Sequence, residues 1–159
     1  EQYGRSLVLI GGTSIGFGLL LFVSDRLGSK QRSLAQMNWK TALLIALSQV
    51  FALIPGTSRS GVTMTAALFC NLDRAAAARF SFLLAIPIIA ASGLLRGIEL
   101  LQVGTESVEW LVLLYAIFIS AVVAYFCIHY FLQLIERIGF LPFVIYRVLL
   151  GIALILLAL

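Results

Sequence analysis

The chain has 159 residues, 62% of them hydrophobic and 11% charged, with a mean hydropathy of +1.08. That is far too apolar for a soluble domain and marks an integral membrane protein. The formal net charge of +4 does not point to nucleic acid, because the basic residues cluster in short loops between apolar runs, where they carry topology instead.

Leu7 to Val23 (LVLIGGTSIGFGLLLFV) is free of charge and near the lower length limit for a spanning helix. Its Gly12 and Gly16 have small-xxx-small spacing, which predicts the close approach of another helix. Thr13 and Ser14 either line a polar cavity or, the better reading, bond to their own helix backbone. Ser24 to Lys40 is a polar loop with Arg26, Lys30, Arg32 and Lys40 against Asp25 alone, the composition of a cytoplasmic loop. The chain opens on Glu1 rather than methionine, so its start is expected not to be the natural one.

Next come two apolar arms, Thr41 to Ile54 and Gly61 to Cys70, on either side of the polar stretch Pro55 to Thr63 (PGTSRSGVT). At about 1.5 Å per residue the arms reach roughly 21 and 15 Å, against a hydrocarbon core of about 30 Å. Neither can cross, so the spacing predicts a re-entrant helix-loop-helix over 41–70. Irregular backbone at membrane depth is tolerated only where protein or a watery cavity satisfies it.

Pro55 ends the first arm, and Gly56 and Gly61 permit a positive φ or a close approach. Ser58 and Ser60 suit the N-cap of the second arm, whose first N–H groups lack helical partners. Arg59 at bilayer depth costs about 2.5–3.5 kcal/mol even on insertion scales and therefore calls for an anionic partner. A helix N-terminus with hydroxyls and an arginine suits phosphate. Gly56 to Thr63 also has P-loop spacing, but Val62 stands at the lysine position and the flanks are membrane-like. A plain kink would leave Arg59 without a purpose.

Asn71 to Arg74 reads as a capping turn, with Asp73 complementing the dipole of the next helix. Ala75 to Leu95 spans, with a kink expected near Ile86 because of Pro87. Arg79, in its first turns, either contacts phosphate or, the better reading, snorkels. Arg96 to Glu109 is an outer loop carrying Glu99, Glu106 and Glu109, and Trp110 to Leu132 is a span bordered by interfacial aromatics. His129 reads as an interfacial histidine. After a turn over Gln133 to Pro142, Phe143 to Leu159 is the last span, and Arg147 near its start reads as snorkelling. Cys70 and Cys127 read as packing residues.

Arg26, Lys30, Arg32, Lys40, Arg74, Arg79, Arg137 and Arg147 fall on one side, against Arg5 and Arg96 on the other. This places the first side in the cytoplasm. The expected fold is an all-α integral membrane protein: about four transmembrane helices plus one re-entrant helix-loop-helix, in a single membrane domain over 1–159.

The stretch ALSQVFALIPGTSRSGVT closely resembles the second signature of the undecaprenyl-diphosphate phosphatases, the bacitracin-resistance family of bacterial inner membranes. NLDRAAAARFSFLLAIP and FLQLIERIGFLPFVIYRVLLG are similar to that family's C-terminal portion. The resemblance implies an inverted-repeat fold. It also implies hydrolysis of undecaprenyl diphosphate to the monophosphate that carries cell-wall glycans; the charge count separately has the hairpin entering from the cytoplasm, with its site opening to the outer face. Ser58, Arg59 and Thr63 match family positions implicated in activity, with Gly56, Ser60 and Gly61 completing the substrate cradle. Mg²⁺ or Ca²⁺ is implied, held partly by glutamates of a first, acidic signature that this sequence does not contain. No metal ligand is therefore expected within these residues. The expected partners are a polyprenyl diphosphate lipid, the membrane and an N-terminal half, with a homodimer left open.

No acidic residue falls in the membrane part of the chain, so no general base is evident. The nucleophile stays open among a serine here, a group in the absent half and a water. A polyprenyl-phosphate transporter or flippase is the alternative, since broken helices aimed at anions also serve transport.

Overall fold

The computed structural model describes residues 2–29, 31–103 and 109–158. Among these the regular structure is helical: α1 (Gln2–Leu27), α2 (Trp39–Ser48), α3 (Arg59–Phe69), α4 (Arg74–Val103), α5 (Trp110–Ile138) and α6 (Leu141–Ala158), with short 3₁₀ turns at Leu34–Gln36 and Gln49–Leu53. Four stretches are long and apolar enough to cross a membrane: Leu7–Leu27, Arg74–Leu100, Trp110–Ile138 and Leu141–Ala158. The chain is a multi-pass membrane protein. The apolar helix Trp39–Leu53 is too short to cross.

α1 and α6 pack along a glycine seam. A Cβ on Gly11 would lie 2.7 Å from the Gly151 carbonyl oxygen, and one on Gly18 would lie 3.3 Å from Cβ of Arg147. The expected pair, Gly12 and Gly16, instead faces open space. A straight α-helix returns to the same face after about 7.2 residues, so Gly11 and Gly18 share a seam that Gly12 and Gly16 do not.

At the basic end of the bundle, Arg74 grips Asp25 with Nε and Nη2 at 2.7 and 2.8 Å. The same guanidinium rests on Gly139, which has φ +74° and has Arg74 Cζ 2.7 Å from where a Cβ would be. This one side chain joins the ends of α1 and α4 to the α5–α6 turn. Above it lies the core, including Leu21, Ile45, Leu68, Leu72, Ala77, Ile135 and Phe140. The loop after α1 is stitched to the α3–α4 turn: Arg32 N donates to the Asn71 carbonyl and Asp73 N to the Arg32 carbonyl. Asp73 then caps α4, its Oδ1 accepting from Ala76 N at 2.7 Å. Burial pushes the Cys70 thiol up, with the Arg32 charge pulling the other way; a protonated thiol suits the packing role expected of it.

α4 runs through Pro87 to Val103, so Arg96 and Glu99, expected in a loop, form an ion pair at 2.7 Å one turn apart on a helix. Their i, i+3 spacing supports the extra turns. Lys30, Gly104 and Glu106 lie outside the described residues. α5 meets the rest through its C-terminal third, where Phe131 packs edge-on against Phe82 and Phe143. His129 faces Gln133 on its own helix at 2.9 Å and stacks on Tyr125.

Candidate functional site

The 10-residue α2 starts at the Asn38 cap, whose side chain accepts from Thr41 N at 2.8 Å. Its far end tightens into the 3₁₀ turn before Pro55. There the Thr57 hydroxyl reaches the carbonyls of Phe51 and Ile54 at 2.9 and 2.8 Å, covering the open end of the arm. Gly56 turns the chain with φ +91°. A side chain at Gly56 would collide with Thr13 Oγ1 and the Ile10 carbonyl. Thr13 also holds the loop: its single proton has the Pro55 carbonyl at 2.6 Å, closer than Leu9 O at 2.9 Å or Ile10 O at 3.1 Å. Thr13 was expected to bond to its own helix backbone, and those carbonyls are within reach, but its shortest contact is to the loop.

Ser58 is the N-cap of α3, with φ −81° and ψ 124°, and its Oγ accepts from Gly61 N at 3.2 Å. Ser60, the other expected cap, is already helical, and its Oγ lies 3.1 Å from Ser58 Oγ. Arg59 opens the helix two residues ahead of the expected start. It is half-buried, and among the described residues its guanidinium makes no hydrogen bond or ion pair.

Arg147 supplies what the loop sequence does not. It was expected to snorkel, but it is only 7% exposed and points inward. Nη2 donates to the Gly56 carbonyl at 3.0 Å, while Nη1 is buried without a hydrogen-bond partner. A Cβ on Gly61 would fall 2.7 Å from that Nη1 and 3.4 Å from Ser58 Oγ. Gly61 thus leaves room for the guanidinium that lies against it, and a side chain there would push Arg147 aside. The glycine seam under Arg147 explains why it cannot snorkel: Gly18 brings α1 against its Cβ, and Ser14 Oγ donates to its carbonyl at 3.2 Å.

The Arg147 guanidinium thus lies against the N-terminal turn of α3, the turn that Arg59 opens. Among the described residues the carboxylate ion pairs are Arg74–Asp25, Arg79–Glu136 and Arg96–Glu99, so neither Arg59 nor Arg147 is neutralised within them. A buried, uncompensated charge costs several kcal/mol, and an intramembrane arginine of this kind marks a site. The fitting ligand is an anion, drawn by the helix end and bound by planar donors.

The chain matches the family described as bacitracin resistance protein BacA over residues 1–153. It belongs to the BacA family. Proteins named undecaprenyl-diphosphatase are among its relatives. That of Hahella chejuensis is 56% identical over 151 residues, covering 95% of this chain and 56% of the relative. Undecaprenyl-diphosphatase 1 of Pseudoalteromonas translucida is 54% identical over 155 residues, covering 98% and 58%. The Teredinibacter turnerae protein is 53% identical over 154 residues, covering 97% and 58%. The chain spans a little over half the length of these curated relatives. Membership in the BacA family, together with four spanning helices, makes it a multi-pass protein of the bacterial inner membrane.

In this BacA family chain the loop brings five of the six expected site residues together: Gly56, Ser58, Arg59, Ser60 and Gly61. Thr63 sits apart. It is 1% exposed, and its hydroxyl lies 2.6 Å from that of Ser81 on α4. The donor set does not suit a cation, because it consists of N–H groups, hydroxyls and two guanidiniums. Among the described residues no three of His, Cys, Asp and Glu come together. The sequence did carry a signal for Arg147, namely an arginine inside an apolar span. Its nearness to the helix start made snorkelling the simpler reading.

Proposed function

We propose that this chain forms the diphosphate-binding part of an enzyme that hydrolyses undecaprenyl diphosphate, releasing phosphate and returning the lipid monophosphate to cell-wall synthesis. The observation that carries the reading is the buried Nη1 of Arg147, aimed without a partner at the N-terminal turn of α3. In hydrolysis an oxygen from water bonds to the terminal phosphorus. The bridging oxygen leaves with the electron pair as part of the lipid monophosphate. Charge builds on the terminal and bridging oxygens, where Arg59, Arg147 and the first N–H groups of α3 would stabilise it. Ser58 and Ser60 would complete the cradle by hydrogen bonding.

An apolar groove of about 260 Å³ lies beside α3, lined by Phe17, Leu20, Phe51, Val62, Ala66 and Phe69 among others. Val62 begins it within a turn of the Ser58 cap, so a polyprenyl tail could leave the headgroup directly into it. Along α1, Thr13 lies about 21 Å from Leu27 and about 9 Å from Leu7 at about 1.5 Å per residue. Since Arg26, Arg32, Lys40, Arg74, Arg79 and Arg137 favour a cytoplasmic basic end, the loop tip belongs in the outer half of the membrane and its site opens outward. The arms Trp39–Leu53 and Arg59–Phe69 would then be a re-entrant pair within one membrane domain.

Among the described residues no base stands beside the loop, so the group that readies the nucleophile, and any divalent cation the reaction uses, would come from a further part of the protein. The test is release of inorganic phosphate from a polyprenyl diphosphate by the full-length protein in detergent, with Arg59→Ala and Arg147→Ala expected to abolish it. Lipid movement across vesicles without phosphate release would favour a transporter of the same fold and overturn the hydrolase.

A further inference from the structure

Thr63 and Ser81 form a buried hydroxyl pair that joins α3 to α4. The two oxygens are 2.6 Å apart, and the residues are 1% and 5% exposed. Thr63 Oγ1 also lies 3.1 Å from both the Arg59 and the Ser60 carbonyl oxygens. A hydroxyl has one proton, and carbonyls only accept. The arrangement that uses both protons has Thr63 donating to the first turn of α3 and Ser81 donating to Thr63. Both protons are then spent, and burial keeps either oxygen from meeting a ligand.

We infer that Ser81 is a positioning residue for the anion site: through Thr63 it fixes the first turn of α3, and Thr63 acts as the link in this latch rather than as a phosphate ligand. The bonds end on the peptide groups of Arg59 and Ser60, the two residues whose side chains and N–H groups the diphosphate would meet. α4 is in turn tied to α1 by the Arg74–Asp25 pair, so the latch refers the site to the rigid end of the bundle. The inference rests on reading the loop as a diphosphate site. It adds the device that holds the donors in register, and small misplacements of such donors cost about tenfold to a hundredfold in rate.

The test uses the full-length protein with a polyprenyl diphosphate and measures kcat and KM for phosphate release. Ser81→Ala and Thr63→Val are each expected to lower kcat by about tenfold or more with KM little changed. The double variant should be no worse than the poorer single one, because both break the same link. Thr63→Ser keeps the hydroxyl and should recover most of the turnover that Thr63→Val loses. Ser81→Ala deletes a single oxygen and keeps the fold readable if Thr63→Val proves unstable. Normal turnover in Ser81→Ala with loss in Thr63→Val would mean that Thr63 meets the substrate itself, which overturns the latch. Additive losses in the double variant would overturn it as well. Arg59→Ala, run alongside, separates the two claims: if it also turns over normally, the anion-site reading falls, whereas loss there with a normal Ser81→Ala removes the latch alone.

Discussion

Arg147 is held in place at the expense of stability. It is 7% exposed and in return makes one hydrogen bond, to the Gly56 carbonyl. A hydrogen bond to a charged group contributes about 1.5–3 kcal/mol, whereas desolvating the charge costs several. The balance predicts that Arg147→Met leaves the thermal stability in detergent unchanged or raises it, while phosphate release falls by about a hundredfold or more. A large loss of stability with activity retained would make Arg147 a structural residue. Arg59 is half-buried and has no protein partner among the described residues, so its substitution should hardly touch the fold. Arg59→Lys keeps the charge but loses the two-pronged donor, and turnover is expected to drop by about tenfold or more. Near-normal hydrolysis by a folded lysine variant would remove the clamp role.

At the scale of the element, the loop is a helix end built to admit a guanidinium. Gly61→Ala separates packing from propensity. Alanine in a helix is favoured over glycine by about 0.8–1 kcal/mol, yet its Cβ would stand 2.7 Å from Arg147 Nη1. Stability should therefore change little, while KM for the diphosphate rises as Arg147 is pushed aside. An unchanged KM would show that Arg147 does not serve the site. This helix end was readable from sequence because its determinants are local: Pro55 stops one arm, Gly56 turns the chain, and Ser58 caps the next arm within three residues of its partner Gly61 N. Arg147 was not readable as a site residue, because its acceptor on Gly56 is 91 positions away in the chain. The α1–α6 seam failed for a related reason. Small-xxx-small spacing occurs at Gly12 and Gly16, but only the partner helix decides which glycines face it, and that helix meets Gly11 and Gly18. Thr63 belonged to the motif by sequence, yet the helical period turns it toward α4 and away from the loop surface.

At the scale of the whole molecule, Arg26, Arg32, Arg74 and Arg137 gather toward the end where α1, α4 and the α5–α6 turn meet, and the loop lies toward the opposite end. A cysteine at Ser29 should accordingly be protected from an impermeant thiol reagent applied outside intact cells, and one at Glu109 should react, with Cys70 and Cys127 replaced beforehand. The reverse pattern would invert the topology and turn the site toward the cytoplasm.

A second expectation at this scale concerns what the chain can do unaided. Its loop offers positive charge and donors, but hydrolysis also needs a group that takes a proton from water or a metal that acidifies it. Among the described residues neither stands near the loop: Glu99 is paired with Arg96 on α4, Glu109 precedes α5, and His129 faces Gln133 on α5. The 159 residues alone should bind a short-chain polyprenyl diphosphate at roughly 0.1 mM or weaker and release no phosphate from it. Binding should weaken with salt, as expected for an anion partly open to solvent. Turnover should return when the remainder of the full-length protein is supplied by co-expression or fusion, and Arg59→Ala should abolish it again. Sustained metal-dependent phosphate release by the isolated chain would show that the proton-accepting group lies within it, and Glu99 and Glu109 would then be the first side chains to replace.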